Sequence, residues 1–133
     1  MTNNTANSNS TYGIYLFTSS NRNTVTGNTA NSNLSPGIFL NSTSKDNLVK
    51  SNVTISNTDD GIGLSTNASA NTVIHNVIRN NTSAGVKISG ADTNVIAQND
   101  ISGSDTGVYL LGAARENIIA KNNITGNLIN NVY

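Results

Sequence analysis

Two aspartates side by side, in Asn57-Thr58-Asp59-Asp60-Gly61, are the residues of this chain best suited to chemistry. Paired carboxylates cleave a glycosidic bond when one protonates the leaving oxygen and the other activates water. That division of labour places them on opposite sides of the bond, whereas neighbours in one loop tend to point apart. A solvated corner loop is therefore the expectation for Asp59 and Asp60, with catalysis the alternative. Asp105 falls in the equivalent loop two repeats later, and the repeat between supplies no acid. A separation of ~10 Å is too wide for one shared Ca²⁺. A second set of residues is aromatic. Tyr15, Phe39 and Tyr109 occupy one position in copies of a short motif, and Phe17 lies beside Tyr15. Rings in a row on a flat sheet form a platform for sugars, and they are also simply good strand residues. For a metal there is little to draw on: one histidine (His75), one methionine (Met1) and no cysteine. Soft metals want Cys, Met or clustered His. Neither a metal nor a cofactor is expected.

These residues are positioned by a repeat. Gly-Ile-x-Leu or its variant recurs at Gly13, Gly37, Gly61, Gly85 and Gly107. Asn-x-Val/Ile-x-x-Asn starts at Asn23, Asn47, Asn71, Asn94 and Asn117, and a third piece starts at Asn4, Asn28, Asn52, Asn76, Asn99 and Asn122. The period is 24 residues, shortening to 22 or 23 towards the C-terminus, with the deletions in connecting loops. A fixed period outranks any local secondary-structure preference. Apolar residues alternate within each piece, as in Ile62-Gly63-Leu64, which is strand periodicity with one face buried. Three strands per repeat can keep a constant period only by coiling, so that each lies in register on its copy one turn later. The expected fold is all-β: a parallel β-helix of about five turns, three short strands per turn, spanning residues 1–133. Ile14, Leu16, Val25, Ile38, Leu40, Val49, Ile62, Leu64, Val73, Ile78, Val86, Ile88, Ile96, Ile101, Val108, Leu110, Ile119 and Ile124 should fill its interior. Ala30 and Thr54 share a column with Ile78, so the N-terminal turns should be thinner. The aligned asparagines should form ladders from turn to turn, with asparagine itself taking the left-handed backbone conformation of the corners.

The motifs in Asn117–Asn127 and Gly107–Leu110 resemble the right-handed parallel β-helix family, specifically the Asn-rich NosD-like repeats of bacterial and archaeal surface or periplasmic proteins. The resemblance implies a fold more firmly than an activity. The same coil serves pectate lyases, polygalacturonases, alginate epimerases, tailspikes and structural surface modules, so function rests on a site. Asn57-Thr58-Asp59 and Asp59-Asp60 are similar to elements of polygalacturonases, but the Gly-His-Gly and Arg-Ile-Lys motifs of those enzymes have no counterpart here. NosD-like proteins are also associated with copper-enzyme maturation, for which His75 and Met1 alone are a poor donor set.

Composition narrows the partners. Net charge is zero and 11% of residues are charged, so nothing points to nucleic acid or an anionic membrane. No apolar run reaches the ~18–20 residues that span a bilayer, and the N-terminus has no signal-peptide core. The leading expectation is a non-catalytic module of the cell surface, the exterior or the periplasm, acting as a spacer or as an adhesion element for a polysaccharide or surface glycan. The alternative is a polysaccharide-acting enzyme or its binding half. The chain begins and stops within a repeat, so it reads as a slice of a longer β-helix that stacks on neighbouring repeats or on itself.

Overall fold

The computed structural model describes residues 1–133. Fifteen strands and no helix compose it. In chain order they begin with β1 (Ile14–Leu16), β2 (Thr24–Thr26), β3 (Ile38–Leu40), β4 (Leu48–Lys50) and β5 (Val53–Ile55). The middle five are β6 (Ile62–Ser65), β7 (Thr72–Ile74), β8 (Val77–Arg79), β9 (Ala84–Ser89) and β10 (Val95–Ala97). The last are β11 (Asp100–Ser102), β12 (Thr106–Leu111), β13 (Ile118–Ala120), β14 (Asn123–Thr125) and β15 (Asn130–Val132). They form three parallel sheets, β1-β3-β6-β9-β12-β15, β2-β4-β7-β10-β13 and β5-β8-β11-β14. From β3 onward each full turn of the coil gives one strand to each sheet, and the fold is a parallel β-helix of about five turns.

Register follows the repeat. Ile14, Ile38, Ile62, Val86 and Val108 stack in one interior column, and Leu16, Leu40, Leu64, Ile88 and Leu110 in the next. The second sheet adds Val25, Val49, Val73, Ile96 and Ile119. The third adds Thr54, Ile78, Ile101 and Ile124. The shortened repeats stay in register because the loops absorb the deletions: Ile88 pairs Leu110, and Ile96 pairs Ile119. Burial of one such aliphatic chain contributes ~1.5–3 kcal/mol, so the columns are the main source of stability. Thr54 is the exception: its Oγ1 is buried without a hydrogen-bond partner.

Three ladders of asparagine line the inner corners. In the first, the backbone N–H and Nδ2 of Asn28 both donate to Oδ1 of Asn52, at 2.9 and 3.0 Å. Asn52 does the same to Asn76, and Asn76 to Asn99. Asn23, Asn47, Asn71, Asn94 and Asn117 form the second ladder. Asn9, Asn33, Asn57 and Asn81 form the third, in which Ser104 takes one rung before Asn127. The backbone of the corners differs from expectation. The left-handed residue is the one before the ladder asparagine, as in Ser51 (φ 54°), His75 (φ 56°), Gln98 (φ 55°) and Lys121 (φ 56°). The chain bends at that outward residue, and the bend carries the next side chain beneath the corner. The asparagine is therefore free to bond its copies above and below.

Candidate functional site

The outer face of the six-stranded sheet carries one aligned row: Tyr15, Phe39, Gly63, Lys87 and Tyr109. Their neighbours in each strand fill the interior, so alternation turns this row to solvent. Parallel strands are ~4.8 Å apart, a spacing at which successive rings can touch. Tyr15 and Phe39 do so, with centroids 5.6 Å apart and planes at 10°. Phe17 lies against Tyr15 at 5.1 Å. Tyr12 joins them, 4.4 Å from Tyr15 and 5.2 Å from Phe39. Tyr109 stands apart and meets Tyr133 edge-on at 5.2 Å.

Gly63 follows Phe39 in the row and makes a slot. A Cβ at Gly63 would lie 2.8 Å from Cδ2 of Phe39, so the ring leans over bare backbone. The resulting groove has a volume of about 250 Å³ and is lined by Tyr12, Phe39, Asp59, Asp60 and Lys87 among others. Enclosed ligand pockets usually hold ~300–1,000 Å³. An open slot of this size suits part of an extended ligand. A second cavity of about 440 Å³ lies further along the face, lined by Tyr109, Tyr133 and Asp105 among others.

Asp60 is the departure from the solvated corner expected at Asp59-Asp60, for it is only 2% exposed. It occupies the position before the glycine corner, in a column with Tyr12, Pro36 and Ala84. Its Oδ1 accepts the Ala84 N–H at 3.1 Å, and its Oδ2 lies 3.6 Å from Nζ of Lys87. Both partners come from the next turn, which folds the carboxylate against the wall instead of releasing it to water. Burial pushes the Asp60 carboxyl above the usual carboxylate range, and the Asp59 charge adds to this. Ser83, Lys87 and the Ala84 N–H pull the other way. Asp59 is half-buried and lines the same slot. The structure thus gathers Phe39, Asp59 and Asp60 in one place, with Tyr15 and Phe17 adjoining and Tyr109 three turns along. Tyr12 and the pairing role of Lys87 escaped the sequence reading. A column-by-column alignment would have flagged Tyr12, which precedes its glycine just as Asp60 does.

The metal donors do not converge. His75 is exposed on a corner, and Met1 lies beside β2, where its ammonium donates to the Thr24 carbonyl at 2.8 Å. The register Thr2, Thr26, Lys50, Ile74 separates them by three turns, ~14 Å along the axis. No cluster of three or more His, Cys, Asp or Glu could hold a metal ion. The chain's own residues do not fit copper.

Two crystal structures of mutants of the periplasmic alginate epimerase AlgG share the architecture. The single mutant superposes with a TM-score of 0.75 and 16% identity, over 92% of this chain and 39% of the epimerase. A double mutant gives 0.69 and 17%, over 84% of this chain and 36% of the epimerase. At this identity the likeness is one of fold, and the chain spans less than two-fifths of the epimerase. No curated protein matches by sequence. The model of the family described as "Periplasmic copper-binding protein (NosD)" matches residues 1–133, the whole length over which the coil repeats, and the chain belongs to that family.

Proposed function

We propose that this chain is a non-catalytic, extracytoplasmic β-helical module that holds a polysaccharide on the outer face of its six-stranded sheet. The observation that carries the reading is the cluster of Tyr12, Tyr15, Phe17 and Phe39, of which Tyr12 and Phe39 line the Gly63 slot. Aromatic rings stack on the apolar faces of sugars, and the rigid coil holds these rings in place at little entropic cost. The word periplasmic in the descriptions of both the family and the epimerase supports the location. Copper does not enter the reading, since the donor set does not suit it.

Asp59 and Asp60 argue against hydrolysis by their placement. They are adjacent in one loop and no other carboxylate lines the slot, so none faces them across a bond. One observation favours the rival reading of a polysaccharide-acting enzyme: Asp60 is a buried acid, held above its ordinary range, beside an open groove. Binding and turnover measurements separate the two. Retention on a polysaccharide gel, weakened roughly tenfold by Phe39→Ala or Tyr15→Ala with no product formed, supports the module. Product formation on alginate, polygalacturonate or neutral glycans, lost in Asp60→Asn or Asp59→Asn, overturns it in favour of the enzyme.

A further inference from the structure

We infer that the slot selects uncharged glycans and rejects uronate polymers. The inference rests on the glycan-binding reading above and adds the chemistry of the ligand. Lys87 is the cation that lines the slot, and it is already committed: its Nζ stands 3.6 Å from Oδ2 of Asp60. Asp59 adds a carboxylate with no cation set against it among the lining residues. The slot therefore carries two acids and one base and presents no free positive charge. A uronate polymer brings a carboxylate on each sugar. Seating one here would desolvate it beside Asp59 with nothing to pair it, and an unpaired buried charge is costly. An uncharged sugar meets no such penalty. Its apolar face can lie on Phe39, and its hydroxyls can donate to Asp59 and bond the hydroxyls of Ser65 and Ser89. Exclusion by misplaced charge is a common source of specificity.

The second cavity on the same face repeats the pattern independently. Tyr109 and Tyr133 supply rings, Asp105 supplies an acid, and no Lys or Arg lines it. Phe39 and Tyr109 are three turns apart in one row, ~14 Å, so a single extended polymer can reach both.

The test is affinity electrophoresis of the full chain on gels containing a soluble neutral β-glucan, a neutral mannan, alginate or polygalacturonate, at low and physiological salt. The expected result is retardation by at least one neutral polymer and at least tenfold weaker retardation by both uronates at either salt. Asp59→Lys, a change at a half-buried surface position, should then admit uronates in a salt-sensitive manner. If the uronates are retained as well as the neutral polymers, or better, and Phe39→Ala or Tyr15→Ala abolishes that retention, the selectivity is wrong while the binding face stands. If no polymer is retained, or retention survives both aromatic substitutions in folded protein, the binding face itself is wrong and the selectivity falls with it.

Discussion

Desolvation and pairing pull the Asp60 carboxyl in opposite directions, and desolvation prevails. The consequence for stability has a definite sign. At a pH below the ordinary carboxylate range the group is protonated in both the folded and the unfolded chain and contributes nothing. As pH rises from that range through the raised folded value, the unfolded chain ionises first, and the folded state loses stability. Asp100 behaves oppositely. Its carboxylate accepts from the Arg79 guanidinium, chiefly a hydrogen bond, which holds it below the ordinary range. That contribution is present above the unfolded value and is lost as pH falls through the lowered one. Both groups can be isolated by urea titrations between pH 2 and 8. Asp60→Asn should flatten the decline on the neutral side, and Asp100→Asn should flatten the decline on the acid side. An unchanged neutral limb in Asp60→Asn would show that Lys87 already satisfies the buried charge.

At the scale of the element, the corner is the unit that both the ladder and the slot depend on. Asn76 illustrates its cost: its Oδ1 accepts two bonds from Asn52, and its Nδ2 donates to the Val49 and Ile74 carbonyls and to Asn99. Asn76→Ala strands several of these groups out of reach of water, at ~1–3 kcal/mol each, so a loss of at least ~3 kcal/mol is expected in denaturant unfolding. A loss under ~1 kcal/mol would mean that water replaces the amide. The residue before the ladder asparagine is tested separately by Ala70, exposed and left-handed at φ 56°. Alanine disfavours that conformation by roughly 1–2 kcal/mol, and glycine does not. Ala70→Gly should therefore raise the melting temperature, against the usual trend for glycine, and a lowered one would refute the strain. This corner also shows why the sequence was legible in part. Columns of Val, Ile, Leu and Asn repeat at fixed spacing and expose the coil directly. The left-handed residue has no common type, being Ser56, His75, Gln98 or Glu116 in turn, so the asparagine beside it drew the assignment. The slot was harder still. It depends on Tyr12 outside the repeated motif, on a ring leaning over Gly63, and on Lys87 reaching back one turn to Asp60. Those contacts join different turns, which spacing alone does not weigh.

The whole molecule is a one-dimensional stack, in which each turn contacts only the turns beside it and stability is a sum of turn and interface contributions. Those contributions are unequal. Ile62, Val73, Ile78, Val86, Ile88, Ile96 and Ile101 are fully buried in the central turns. At the C-terminal end Ile118 is 57% exposed and Ile129 70%, and strands β13 to β15 have no fully buried side chain. Towards the N-terminus the third-sheet column thins to Thr54, with its unpaired hydroxyl, and then to Ala30. In these 133 residues taken as an isolated chain, opening should therefore begin at both ends and reach the middle last. Amide hydrogen exchange checks this with donors whose bonds are nearly equal in length. Val77 N–H and Val95 N–H donate at 2.9 Å in the centre, against 2.8 Å for Ala6 N–H and 2.9 Å for Leu128 N–H at the ends. Bond geometry alone predicts similar protection for all four. Stacking predicts that Val77 and Val95 exchange only by global opening, and Ala6 and Leu128 by fraying that costs far less. Ile78→Asp, which places an unpaired carboxylate in the best-packed column, should abolish the slow central class and with it the cooperative unfolding transition. Equal protection along the chain in the unmutated protein would mean that the turns open together, and the nearest-neighbour account of this stack would be wrong.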